Sequence, residues 1–79
     1  MNPIIKLFND LSDEELLVLI NEIDVCEKTG SYPIDSTIRE LCKKVSEITQ
    51  QDVSSNLFMT QISVMKECSY RWKKIIENN

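Results

Sequence analysis

Residues 11–20 are Leu-Ser-Asp-Glu-Glu-Leu-Leu-Val-Leu-Ile, and this stretch predicts the start of an amphipathic α-helix. Ser12 and Glu15 stand at the spacing of a capping box, in which each side chain satisfies a free backbone N–H of the other residue. Leu11 and Leu16 flank the box at the spacing of a hydrophobic staple. Acidic residues in the first turn also suit the positive end of the helix dipole.

Apolar residues then recur at helical spacing along one face, at Leu16, Leu19, Ile20 and Ile23. Gly30 follows this pattern, and glycine readily takes the left-handed conformation that ends many helices. The sequence therefore predicts a helix from residue 13 to the neighbourhood of Gly30.

Three further helices are predicted around this one. A short helix over residues 3–8 has Asn2 as its cap and proline at the favoured first position. A third helix over about residues 37–50 carries an apolar stripe without a gap. A fourth begins near Asp52 or Ser54 and runs to about Glu77, a length of about 36 Å.

The fourth helix carries apolar residues in two adjoining rows, which together make a broad stripe. One row has near-heptad spacing at Phe58, Met65 and Trp72, and the other includes Val64 and Cys68. Because this helix is longer than its neighbours, we expect one end to extend past them and to be covered by a partner.

The fold predicted from these elements is all-α: a small antiparallel bundle of three to four helices with a long C-terminal helix, forming a single domain over residues 1–79. The single glycine and the absence of Asn-Gly or Asp-Gly pairs argue against a β fold. We expect the core to contain Leu16, Ile20, Ile23, Ile38, Leu41, Val45, Phe58, Ile62, Met65 and Trp72.

The composition excludes most catalytic arrangements. The chain has no histidine, so the commonest general base and metal ligand is missing. One glycine cannot build a phosphate-binding loop. The three cysteines, Cys26, Cys42 and Cys68, form no short chelating pair. We therefore predict that the protein is not an enzyme and that it binds no cofactor, metal or small-molecule substrate.

The odd number and wide spacing of the cysteines favour reduced, buried thiols in a cytoplasmic protein. The longest apolar run, Leu16 to Ile20, is far shorter than the ~20 residues of a membrane span. We expect no membrane interaction.

Charge suggests where a partner would bind. The net charge is −4, and seven of the 13 acidic residues lie within the first 30 positions. An acidic face on the second helix is either a docking surface for a basic partner or simply solvated. Two valines beside it either form an exposed seam or widen the core. The candidate partner-binding residues here are Asp13, Glu14, Val18, Glu22 and Val25.

A second candidate surface is the segment Tyr70-Arg71-Trp72-Lys73-Lys74, where basic and aromatic residues alternate. We select Tyr70, Lys73 and Lys74 as its candidate partner-binding residues. Such a segment can bind nucleic acid through phosphate contacts and stacking. Its placement equally fits a core tryptophan followed by lysines that stabilise a helix C-terminus.

The function predicted is a non-enzymatic protein–protein interaction module: a small acidic adaptor, inhibitor or regulator of a larger protein. Homodimerisation through the fourth helix is a specific version. The alternative is a nucleic-acid-binding transcriptional regulator in which helices three and four form a helix-turn-helix. Its recognition helix would begin at Ser54-Ser55-Asn56, a stretch that contains no basic residue until Lys66.

Overall fold

The computed structural model describes residues 2–78, which form four helices and no strand. These are α1 (Pro3–Asn9), α2 (Asp13–Thr29), α3 (Thr37–Thr49) and α4 (Val53–Glu77). The 25-residue α4 packs against each of the other three helices. The all-helical fold and the long C-terminal helix are confirmed.

Both ends of α2 form as the sequence predicts. The Ser12 hydroxyl accepts a hydrogen bond from the Glu15 N–H at 3.1 Å, and the Glu15 carboxylate accepts one from the Ser12 N–H at 2.9 Å. The bond from the Ser12 backbone N–H to this carboxylate, together with the Ser12 hydroxyl, lowers the pKa of Glu15, so the contribution of this bond to stability is present at neutral pH and is lost as pH falls through that pKa. At the other end, Gly30 has φ 88° and donates its N–H to the Cys26 carbonyl.

The core lies where α2, α3 and α4 meet. Five predicted core residues are buried: Leu16, Ile23, Ile38, Leu41 and Val45. The core also includes residues outside the predicted set: Phe8, Leu19, Tyr32, Cys42 and Val64. The three cysteines are free thiols, of which Cys42 is buried and the other two are half-buried.

The prediction was wrong for three aromatic or apolar residues of α4. Phe58, Met65 and Trp72 are 67%, 45% and 62% exposed. Two other predicted core residues, Ile62 on α4 and Ile20 on α2, are only half-buried. At 100° per residue, the buried residues Thr60 and Val64 lie on nearly the opposite side of the helix. The inward face of α4 is therefore its less apolar face.

Asn56 fixes the rotation of α4 at its N-terminal end. Its buried side-chain amide donates to the hydroxyls of Ser46 and Thr49 at 3.2 and 3.1 Å, and to the Asp52 carbonyl at 3.3 Å. Because a buried amide without partners is costly, these bonds hold Asn56 inward. The residues half a turn away are consequently turned outward.

Arg71 fixes the same rotation toward the C-terminal end of α4. Its guanidinium donates to the Asp13 and Glu67 carboxylates, each at 2.9 Å, and to the Leu11 carbonyl at 2.7 Å. The two carboxylates raise the pKa of Arg71. One side chain thus joins α4 to the connection between α1 and α2.

Tyr32 gives the fold a measurable pH dependence. Its buried hydroxyl donates to the Gln61 side chain at 2.7 Å, and burial, with nearby acidic groups, raises its pKa from 10.0 to about 12. Because the folded state favours the neutral phenol, this contribution is complete below pH 10 and is lost as pH rises toward 12. We expect urea denaturation across this range to show a steeper alkaline loss of stability for the wild type than for Tyr32→Phe. An equal loss of stability with pH in the two proteins would contradict this role of Tyr32.

Candidate protein-binding surface on α4

One side of α4 presents an uninterrupted row of mainly apolar residues to solvent, here called the outer row. Successive members are spaced alternately four and three residues apart, which is the heptad pattern of a coiled-coil seam. The outer row consists of Phe58, Ile62, Met65, Ser69, Trp72 and Ile76.

The accessible surface of the whole chain is large for a protein of this size. The chain has 5720 Å² of accessible surface, whereas a monomer of 9.2 kDa is expected to have about 4900 Å². The outer row contributes to this exposure, because Phe58 and Trp72 are 67% and 62% exposed. Large contiguous apolar patches are typical of interaction sites, which makes the outer row a candidate for one.

A shallow groove of about 540 Å³ lies along the outer row. Ile62, Met65 and Ser69 form one side, and Lys66, Tyr70 and Lys73 form the other. Two predicted partner-binding residues, Tyr70 and Lys73, thus lie beside the outer row. The third, Lys74, holds its ammonium 4.6 Å from the centre of the Tyr70 ring, a cation–π contact.

The charge beside the outer row is positive. Lys66 and Lys73 follow its members Met65 and Trp72 and line the groove. Lys66 makes no ion pair within residues 2–78, and Lys73 makes a loose, exposed one with Glu77 at 3.7 Å. Glu67 is turned inward, where its carboxylate binds Arg71. The groove therefore has two cationic side chains available to a partner.

The acidic face predicted on α2 is a separate surface. Val18 and Val25 are 46% and 52% exposed, so the interpretation that they widen the core is wrong. They line a second groove of about 470 Å³, together with Pro33 and Asp35. The apolar part of this second groove is smaller than the outer row, because only two valines and a proline contribute apolar side chains to its lining.

Two acidic candidates on α2 stay at the surface. Glu14 is exposed in the first turn, and the Asp13 side chain is 88% exposed while it binds Arg71. Asp13 therefore already serves the fold through that ion pair. Both residues lie at the helix N-terminus, where the dipole favours acidic side chains.

Glu22 serves the fold in a way that the sequence did not suggest. Its carboxylate accepts hydrogen bonds from the backbone N–H groups of Thr37 and Ile38 at 2.9 and 2.8 Å. These groups begin α3, whose own cap residue Ser36 makes no side-chain capping bond. Glu22 thus caps the neighbouring helix, and its charge is directed at that helix terminus.

We expect Glu22→Gln to destabilise the chain by about 1–2 kcal/mol, because an amide offers only one acceptor oxygen to two N–H groups. Glu27→Gln is the matched control, since Glu27 is exposed on the same helix and its side chain makes no hydrogen bond within the described residues. Urea denaturation of both variants checks the difference. Equal stabilities would show that the cap contributes nothing.

Two residues important to the nucleic-acid interpretation are engaged inside the protein. Arg71 directs its guanidinium to two carboxylates and to backbone carbonyls, rather than to solvent. Asn56, at the start of the supposed recognition helix, is buried and bonded to α3. The exposed basic residues of this region are Lys66, Lys73 and Lys74.

Within residues 2–78, no three carboxylate or thiol side chains come together as a metal site. None of the four described helices is long and apolar enough to cross a bilayer.

Comparison with known proteins gives no relative. No family model, curated protein or solved structure matches the chain.

Proposed function

We propose that the protein is a non-enzymatic protein–protein interaction module, an adaptor, inhibitor or regulator, which binds its partner through the outer row of α4. The observation that carries the proposal is the distribution of apolar residues on this helix. Asn56, Thr60 and Val64 face the core, whereas the larger Phe58 and Trp72 face solvent. The fold of the isolated chain gains little from these two exposed side chains.

The composition of the outer row fits the centre of an interface. Aromatic residues and methionine are enriched there, because aromatic rings bury a large area with only two side-chain torsions and the flexible methionine adapts its shape to the partner. Full burial of one such side chain is worth about 1.5–3 kcal/mol. Five apolar residues in one row can therefore offset a considerable part of the entropy that association costs.

Site-specific photo-cross-linking in the native host tests this proposal. A photoreactive amino acid at Met65 places the probe in the outer row, and the same residue at Lys43 places it on an exposed position of α3. We expect a discrete adduct with another protein from position 65 that is absent from position 43. No adduct at 65, or the same adducts from both positions, would contradict the proposal.

A further inference from the structure

We infer that the segment which binds the outer row is an amphipathic helix of another protein, with acidic residues beside its apolar stripe. This inference rests on the proposed function and adds the shape and the charge of the partner. It is drawn from the spacing of the outer row and from the lysines beside it.

The spacing of the outer row indicates a helical partner. Alternation of four and three residues gives a mean repeat of 3.5, at which two α-helices keep their side chains in register along a shared seam. A β-strand places alternate side chains on one face and does not follow this repeat. From Phe58 to Ile76 the seam is about 27 Å long, which corresponds to five turns of a partner helix.

The charge beside the outer row indicates an acidic partner. Lys66 and Lys73 occupy successive flanking positions on one side of the seam, and Gln61 and Cys68 occupy those on the other. No acidic residue holds a flanking position between Phe58 and Ile76. Flanking charges set partner choice in coiled coils, because opposite charges attract across the seam and like charges repel.

A second copy of this chain provides a poorer match. Antiparallel pairing of two α4 helices about residue 67 brings the two copies of Lys66 close together. Parallel pairing sets the lysines against Gln61 and Cys68, which are neutral. Neither arrangement supplies an acidic group to the lysines, and the first adds repulsion.

An anionic membrane surface is also a poorer match. Apolar and cationic side chains on one helix face are typical of helices that lie on lipid. This helix, however, belongs to a chain of net charge −4, which an anionic leaflet repels at long range. A single acidic helix can contact the two lysines on the side of the seam away from Cys68, beside which α2 packs.

Two labelled synthetic peptides of three heptads test the inference by fluorescence anisotropy with the full chain. Both carry isoleucine and leucine at the seam positions, and the flanking positions are all glutamate in one peptide and all lysine in the other. We expect the glutamate peptide to bind at least about 10-fold more tightly at low salt. Met65→Asp, which alters only the seam, should abolish binding of both peptides.

The double variant Lys66→Glu plus Lys73→Glu is the decisive control, because it should reverse the preference in favour of the lysine peptide. Equal binding of the two peptides, or no binding of either, would overturn the inference. Sedimentation that shows a concentration-dependent dimer, abolished by Met65→Asp, would also overturn it. Tighter binding of the chain to phosphatidylserine vesicles than to the glutamate peptide would do the same. If position 65 cross-links to a partner but the chain does not prefer the glutamate peptide, the proposed function stands and the inference of an acidic partner helix is refuted.

Discussion

Arg71→Ala should leave a large fraction of the chain unfolded under conditions where the wild type is folded. The guanidinium binds Glu67, whose side chain is only 12% exposed, and the Leu11 carbonyl at 2.7 Å. Its removal leaves a largely buried carboxylate without its counter-ion, at a cost of about 2–4 kcal/mol. A core of this size supplies only about 3–5 kcal/mol of net stability.

Two controls separate the bonding of Arg71 from its charge and from general effects of substitution on α4. Arg71→Lys keeps the charge but cannot reach Asp13, Glu67 and the carbonyls at once, so it should fall between the wild type and alanine. Lys74→Ala removes an exposed lysine three residues away and should change little. Circular dichroism during urea titration gives the three stabilities. An Arg71→Ala protein as stable as Lys74→Ala would show that the guanidinium does not hold the fold.

Val64→Asp and Met65→Asp should have opposite outcomes, although the two residues are adjacent. Val64 is fully buried, and a carboxylate there would lose its hydration without gaining a partner, so the variant should not fold. Met65 is 45% exposed, and its substitution should cost about 1 kcal/mol or less, mainly through helix propensity. The pair shares the same new residue and the same helix, and helix propensity works against the expected difference, because valine is a poorer helix former than methionine and loses less on substitution.

Circular dichroism and urea denaturation of the two aspartate variants give the result directly. A folded Val64→Asp together with an unfolded Met65→Asp would mean that α4 is rotated by about half a turn, with the outer row in the core. That outcome would also remove the basis of the proposed function.

The sequence was a good guide to features that depend on neighbouring residues. The capping box of Ser12 and Glu15 and the left-handed Gly30 are local, and both were found as predicted. The stripe of α3 was also correct for Ile38, Leu41 and Val45, because that helix has a single apolar face.

The orientation of α4 was not predictable in this way, since the helix carries two apolar rows. Choosing the more apolar row for the core is usually sound, and here it was wrong for Phe58, Met65 and Trp72. The contacts that decide the rotation join Asn56 to α3 and Arg71 to the connection before α2. Such contacts span up to some 60 positions of sequence and become visible only in three dimensions.

Only some of the residues that line the groove were selected from the sequence, because the orientation of α4 was not predictable. Tyr70 and Lys73 were selected for their charge and aromatic character, and they do line the groove beside the outer row. Lys66 also lines the groove but was not selected from the sequence, because its proximity to the outer row matters only once that row is exposed. Glu22 was selected for its charge, although its carboxylate is directed at the start of α3.

The most direct test of the account is the environment of Trp72, the single tryptophan of the chain. Its side chain lies in solvent on the outer row and is 62% exposed. Its fluorescence in the dilute wild-type protein should therefore show the long-wavelength emission of a hydrated indole and strong quenching by acrylamide. Short-wavelength emission that resists quenching and does not change on further dilution would place Trp72 in the core, and would contradict the account.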